Sequence, residues 1–515
     1  MSDPLRMLPA ALAGGAGGAE ALEPLLRIVL DALVSGAARR GGPVPAGSPE
    51  DLAAEVARAL SGTGGARHTS DGGGDPGGGG DVLRDLTALL AYGSADPADP
   101  WCSAHLHCPP LAVAVAADLA VSALNPSMDS WDQAPAATSV ETLLLKELGE
   151  LVGYPSDATG VLTSGGTESN LMGLMLARDR VLGRATGSQV GLTGLTGLTE
   201  LAGPAGLRPR IFASEAAHFS VQRSAALLGL GEQAVVPVPV DHELRMDPRA
   251  LGDALKRSVS AGETPVAVVA TAGTTDTGAV DPLPACAALA AEHCAWLHVD
   301  AAYGGAALLS DRLAPLMDGI ALADSVSLDW HKLGWQPIAA GVFLVRRAET
   351  YASLARRAAY LNPADDEEAG YGSLLGLSLR TTRRADAFPL AVTLRTLGRE
   401  GLGRLVDACH DLARAGAATV RAHPRLELHA EPVLTAFLFR YLPADSAWSD
   451  EVNAGLRRRL LREGRAVIGR TELPGEGPGR VRLKLTLLNP HTTSAEVERL
   501  LHAVAAAGEA EEEAR

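Results

Sequence analysis

The sequence predicts an α/β protein with a large domain built on a mainly parallel sheet and a smaller C-terminal α+β domain. Two observations carry this. Short continuous apolar runs recur through the middle of the chain: "RIFAS" (210–214), "AVVPVPV" (234–240), "PVAVVATA" (265–272), "AWLHVDAA" (295–302), "DSVSLD" (324–329) and "AGVFLVRR" (340–347). Helix-like segments such as "TESNLMGLMLARDRVLG" and "LPACAALAAEH" alternate with several of them. Strands that are apolar throughout are buried on both faces, and helices alternating with them supply the cover.

Taken in order, residues 1–130 are mostly helical by periodicity and are expected to wrap around a partner. They contain "TGGARHTSDGGGDPGGGGD" (63–81), a stretch too rich in glycine to hold a helix or strand and expected to be disordered. Residues 131–395 form the large domain. Within it, 187–209 carries a short G-L-T repeat and two prolines and reads as a mobile insertion. Residues 396–515 form the small domain, with a helix, strands such as "AFLFRYL" and "RVRLKLTLL", and a final helix. A chain of 515 residues suffices for two or three packed units.

Composition narrows the function. With 61 acidic and 45 basic residues the formal charge is −16, which argues against nucleic acid or an anionic membrane as partner. No apolar run reaches the roughly 18–20 residues that span a bilayer. The N-terminus lacks the basic start and apolar block of a signal peptide. Cys102, Cys108, Cys286, Cys294 and Cys409 are odd in number and form no C-x-x-C pair, which points to free thiols in the cytoplasm.

Three motifs carry chemistry. "VLTSGGTESNLMGLMLARD" reads strand, Gly-rich turn, helix, so the N–H groups of Gly165, Gly166 and Thr167 offer an anion site; an ordinary capped helix reads the same. Asp300 ends one apolar run and Lys332, in "SLDWHKLGW", follows another. Ionisable residues at strand C-termini point into the crevice where such sheets bind ligands. A buried aspartate keeps a ring nitrogen protonated, a lysine forms a Schiff base with an aldehyde, and the helix start holds a phosphate. Those three needs together describe pyridoxal phosphate. "TAGTTDTGAVDPL" either holds a ligand through Thr274 and Thr275 or simply turns tightly, and His218 alone reads more readily as a packed or capping histidine.

The blocks "TSGGTESN", "SEAAHFSVQRSA", "ATAGTTDTGAVDPL", "HVDAAYGGA", "ADSVSLDWHK" and "SLRTTRRADAF" stand in the order found in the group II pyridoxal phosphate-dependent amino acid decarboxylases, which the chain resembles from about Trp101 to Leu501. The resemblance is nearest to the branch acting on lysine, ornithine and 2,4-diaminobutyrate. It implies a fold-type I, aspartate aminotransferase-like enzyme working as a homodimer with active sites at the interface. It implies that Lys332 is the Schiff-base lysine, that Asp300 pairs with the pyridine nitrogen, and that His218 stacks on the ring with Ala302 on the other face. Gly166 and Thr167 match phosphate binders, His331 lies beside the lysine, and Thr275 lines the site. Tyr360, in the acidic loop 357–373, matches a mobile-loop tyrosine that resembles the proton donor to the carbanion; a surface tyrosine is the plainer alternative.

Asp129, in "NPSMDSWDQAPAAT", falls in a segment that the resemblance assigns to the partner subunit's contribution. A carboxylate there suits a cationic side chain, whereas a capping aspartate is the local alternative. His107 and Cys108, in "HLHCPP", are the other pocket-wall candidates and lack the spacing of a zinc site. Lys484 stands where some family members have an arginine for the substrate carboxylate, so a bidentate clamp is lost, and Arg482 is two residues away. The expected reaction is therefore decarboxylation of an L-amino acid, foremost a basic diamino acid. The alternatives are an aromatic, acidic or aliphatic substrate, a transaminase or oxidative deaminase on the same fold, and a cofactor-free binding or regulatory protein. A hydrolase lacks its G-x-S-x-G elbow.

Overall fold

The computed structural model describes residues 11–62, 78–186, 208–354, 361–473 and 479–515. Tyr360, residues 63–77 of the Gly-rich stretch, residues 187–207 of the insertion and residues 357–360 of the acidic loop lie outside the described residues.

The N-terminal part is helical, in α1 (Gly18–Arg40), α2 (Pro49–Gly62), α3 (Gly78–Gly93) and α4 (Ala112–Leu124). Residues 78–81 open α3, so that end of the Gly-rich stretch is ordered, contrary to the expectation from composition. One strand breaks the helical run: β1 (Cys102–Ser103) pairs in parallel with Val467 and Ile468 of the C-terminal sheet. Two residues are too short for any periodicity to reveal, and only the partner strand makes them a strand.

The large domain alternates helix and strand: α5 (Pro135–Val152), β2 (Thr159–Thr163), α6 (Gly166–Thr186), β3 (Pro209–Ser214), α7 (Ser220–Leu227), β4 (Val235–Val238), α8 (Pro248–Ser260), β5 (Thr264–Thr271), α9 (Leu283–Glu292), β6 (Trp296–Ala301), β7 (Ser325–Asp329) and β8 (Gly341–Val345). The seven-stranded sheet has the order β2-β8-β7-β6-β5-β3-β4. Only β8 runs antiparallel to its neighbours, β2 and β7. Side chains alternate across the sheet. Val268, Ala270, Leu297, Val299, Val326 and Leu328 face a core shared with α5, α8 and α9. Ala267, Val269 and Trp296 face a second core with α6 and α7. Local chemistry sets the helix starts: Asp247 caps α8, its carboxylate accepting from Arg249 N at 2.8 Å, with Pro248 in the first turn.

The chain continues through α10 (Ala364–Glu368) and α11 (Ala387–Ala422) to β9 (Leu426–Leu428), β10 (Ala436–Tyr441), α12 (Ser449–Arg462), β11 (Val467–Glu472), β12 (Val481–Thr486) and α13 (Ser494–Glu513). The second sheet has the order β1-β11-β12-β10-β9, antiparallel except for β1. It packs on α12, α13 and the second half of α11 around its own core. Helix α11 crosses the domain boundary expected at 395–396, where Gly398 interrupts it at φ 65°.

Candidate functional site

A cavity of about 280 Å³ opens at the C-terminal ends of the parallel strands, in front of the first turn of α6. Its wall brings together Gly165, Gly166, Thr167, His218, Thr275, Asp300, Ala302, His331 and Lys332, all singled out from the sequence.

The helix start is shaped for an anion. Gly165 has φ 146°, a conformation that a side chain would strain, and this turns the strand end sharply into α6. Gly165 N points to Thr163 Oγ1 at 3.4 Å, and Ser164 N donates to Glu168 Oε2 at 2.6 Å. Arg380 braces that glutamate from outside, its Nε 2.9 Å from Glu168 Oε1. Gly165 therefore shapes the turn, while Gly166 N and Thr167 N have no acceptor among the described residues. Both residues line the cavity, and two free N–H groups at the positive end of a helix favour a phosphate.

Asp300 is almost wholly buried at the end of β6. Its Oδ2 accepts from Asn170 Nδ2 at 2.7 Å. Its Oδ1 accepts from Ala302 N at 3.1 Å and lies 3.2 Å from Ser327 Oγ, whose one proton it shares with Asn170 Oδ1 at 3.0 Å. These contacts fix the plane of the carboxylate. His218 follows β3, half-buried, with Nδ1 2.9 Å from Ser220 Oγ. Burial pushes its imidazole below the ordinary range, and the nearby Asp300 carboxylate opposes this.

Lys332 lies three residues beyond β7, its ammonium 3.1 Å from Asp329 Oδ2. His331 Nε2 is 3.6 Å from the same oxygen, and burial again lowers its basicity. Cys108 lies beneath this turn: its thiol, pushed up to about 12 by burial, donates to the His331 carbonyl at 3.2 Å. Cys108 thus props the lysine loop from behind, and His107 next to it is exposed.

Thr274 and Thr275 differ in what they touch. Thr274 Oγ1 closes the turn onto Ala279 N at 3.1 Å, while Thr275 lines the cavity. Lys484 Nζ bonds Asp276 at 2.8 Å and the Thr275 carbonyl at 3.4 Å, which ties this loop to the small domain. Arg482 donates to Gly479 O at 2.6 Å, away from the cavity. Asp129 is outside the cavity wall within one chain: Thr382 Oγ1 lies 3.4 Å from its Oδ2, and its buried Oδ1 has no partner among the described residues.

Several site residues went unnoticed in the sequence: Asn170, Thr271, His298, Ser327 and Asp329. A signal for most of them was present. In "SVSLD" and "WLHVDA", Ser325, Ser327, Asp329, His298 and Asp300 alternate with apolar residues. The apolar set faces the α5, α8 and α9 side, so the polar set lies under α6. Gly173 of α6 makes room for it, since a Cβ there would meet His298 Nδ1 at 2.6 Å.

These residues fit pyridoxal phosphate. An amine, a fixed carboxylate and two free helix N–H groups open on one cavity, and Thr271 Oγ1 in its wall is buried with no partner among the described residues. A Cβ on Gly166 would lie 2.9 Å from Ala302 Cβ, so the cavity depends on that glycine.

The comparisons agree with this chemistry. The pyridoxal-dependent decarboxylase conserved domain matches residues 76–442. The L-2,4-diaminobutyrate decarboxylase of Acinetobacter baumannii is 40% identical over 430 residues, 83% of either chain. That of Rhizobium meliloti (strain 1021) is 43% identical over 406 residues, 79% of this chain and 77% of its own. Among solved structures, the glutamate decarboxylase domain of diaminobutyrate-pyruvate transaminase and L-2,4-diaminobutyrate decarboxylase from Vibrio parahaemolyticus superposes with TM-score 0.82 at 33% identity, covering 97% of this chain and 98% of that one. Oryza sativa TDC with PLP and tryptamine gives TM-score 0.82 at 25% identity, covering 96% and 99%.

Proposed function

The chain belongs to the pyridoxal-dependent decarboxylase family, and we propose that it releases the α-carboxyl group of a basic diamino acid, foremost L-2,4-diaminobutyrate, as carbon dioxide. The observation that supports the reaction is the convergence of Lys332, Asp300 and the free N–H groups of Gly166 and Thr167 on one cavity. Lysine and ornithine are the longer substrates of the same kind. The relatives named for diaminobutyrate favour the shorter one.

Bound pyridoxal phosphate supplies the electron sink that takes the bonding pair left at Cα. In this reading Lys332 would hold the cofactor through its ε-amine, and Asp329, 3.1 Å from that nitrogen, would position it. Asp300 gives the ring nitrogen its counter-charge, held in plane by Asn170, Ser327 and Ala302 N. His218 and Ala302, both in the cavity wall, would flank the ring. Gly166 and Thr167 take the phosphate, with His331 beside it and Thr275 at the wall. Tyr360 carries the proton to Cα. By orienting the substrate, these residues would select loss of the carboxyl group over loss of the Cα proton.

The working form in this proposal is a homodimer in which the segment around Asp129 from a second copy completes each site, with His107 near the entrance. All five cysteines are free, which suits a reducing cytoplasm. Among the described residues no helix is long and apolar enough to cross a membrane.

The test is carbon dioxide release from a panel of 2,4-diaminobutyrate, ornithine, lysine, glutamate and tyrosine. The highest kcat/KM is expected for 2,4-diaminobutyrate. A preference for glutamate or tyrosine would overturn the diamino reading and leave amino acid decarboxylation as the function.

A further inference from the structure

We propose that Asn170 is a positioning residue whose single side chain fixes both the carboxylate of Asp300 and the ring of His218. The proposal rests on the reading above, in which Asp300 serves the ring nitrogen and His218 the ring face of the cofactor.

Asn170 is 1% exposed, and each end of its amide has two polar neighbours. Its amide nitrogen lies 2.7 Å from Asp300 Oδ2 and 2.9 Å from Ser220 Oγ. Its oxygen lies 2.9 Å from His298 Nε2 and 3.0 Å from Ser327 Oγ. Two donors and two lone pairs are all that an amide has. The reverse orientation would set two acceptors 2.7 Å apart against Asp300, so the carboxylate dictates which way the amide points.

Proton positions follow along the chain of contacts. Because Asn170 presents its oxygen, His298 carries its proton on Nε2. Complete burial keeps this imidazole neutral, so Nδ1 accepts, and the group 2.8 Å away is the hydroxyl of Ser325. Ser325 in turn accepts from the indole N–H of Trp296 at 2.8 Å, and that group can only donate. On the other arm Ser220 accepts from Asn170 and passes its own proton to His218 Nδ1, leaving His218 Nε2 to bear the ring proton. The donor-only indole and the acceptor-only carboxylate agree on one direction, from Trp296 toward the site. Buried networks that are satisfied at every member hold their geometry tightly.

Asn170 is thus the branch point. Asn170→Asp preserves size and the acceptors for His298 and Ser327. It removes both donors and sets a second carboxylate against Asp300. Ser220→Ala cuts only the hydroxyl link from Asn170 to His218, whose Nδ1 keeps the Ser220 N–H at 3.3 Å.

Two measurements test this. In cofactor-free protein labelled with ¹⁵N-histidine, His218 and His298 are expected as Nε2–H tautomers, and Ser220→Ala is expected to move the His218 Nδ1 signal while leaving His298 in place. In the holoenzyme, Asn170→Asp is expected to weaken pyridoxal phosphate binding by about ten-fold or more and to shift the ¹⁵N signal of its ring nitrogen, the loss of one charge-assisted bond being that large. Ser220→Ala is expected to leave the ring-nitrogen signal unchanged. A Nδ1–H tautomer of His298 in the wild-type chain overturns the proposal. So does Asn170→Asp with wild-type affinity and ring-nitrogen signal where Asp300→Asn loses both. If Asp300→Asn itself changes neither, the assignment of Asp300 falls instead. Should Asn170→Asp not fold, the tautomers of the wild-type chain and of Ser220→Ala decide.

Discussion

Lys332 Nζ lies 3.1 Å from Asp329 Oδ2, and the other oxygen of that buried carboxylate has no partner among the described residues. The lysine that anchors the cofactor in our reading is therefore also the charge that makes Asp329 tolerable in the interior. Lys332→Ala should abolish turnover and the visible absorbance of bound cofactor. It should also destabilise the cofactor-free protein by roughly 1–3 kcal/mol, the cost of a buried polar group left unpaired. Lys332→Ala/Asp329→Asn should recover part of that loss in urea unfolding. Equal stability of the single and double variants would show that Asp329 does not depend on the lysine.

Gly166 and Ala302 meet across the cavity, with 2.9 Å between Ala302 Cβ and the place a Cβ on Gly166 would take. Gly166→Ala should weaken pyridoxal phosphate binding by about ten-fold, a contact too close to absorb without a shift. The cofactor-free protein should lose some stability to the same clash, offset in part because alanine favours a helical first turn. Gly166→Ala/Ala302→Gly should restore affinity. Cofactor titration and thermal melting check both halves, and unaltered affinity in the single variant would move the binding site elsewhere.

His298 is completely buried, and that burial pushes its imidazole down to about 4, partly opposed by Asp300. The unfolded chain takes up this proton near pH 6.5, so between about 6.5 and 4 the unfolded state binds more protons and stability rises with pH. The contribution is full above pH 6.5 and is lost as pH falls through about 4, to the extent of at most ~3 kcal/mol. Urea unfolding of cofactor-free protein from pH 7.5 to 4.5 should show that slope, and His298→Asn should flatten it. An equal slope in the variant would assign the acid sensitivity to other groups.

Asp129 Oδ1 is buried without a partner among the described residues, while Asn362 Nδ2 donates to the Asp129 carbonyl at 3.2 Å. Asn362 stands two residues after Tyr360 in the chain. Asp129→Asn should raise the KM for 2,4-diaminobutyrate by about ten-fold or more with little change in cofactor affinity, as expected when a contact of equal strength in ground and transition states is lost. An unaltered ranking of basic, acidic and aromatic substrates would remove Asp129 from substrate reading.

The sequence alone determined the order of strands and helices and the residues at the ends of the strands. Continuous apolar runs such as "PVAVVATA" can only be buried on both faces, and this dictates a covered parallel sheet. The candidate roles of Lys332, Asp300 and the Gly165–Thr167 turn are legible because ionisable and glycine residues at strand ends break an otherwise apolar pattern. What only the tertiary structure decided is which polar groups meet across elements. Asn170 on α6 reaches Asp300 on β6 over a separation of 130 residues. Lys484 on β12 finds Asp276 beside the cavity over 208 residues. Cys108 packs beneath the turn of Lys332 rather than facing outward, and the pair Cys102–Ser103 becomes a strand only against Val467–Glu472. Periodicity reports the face on which a residue lies, whereas its partner depends on the register and packing of segments far apart in the chain, and no local pattern encodes that distance.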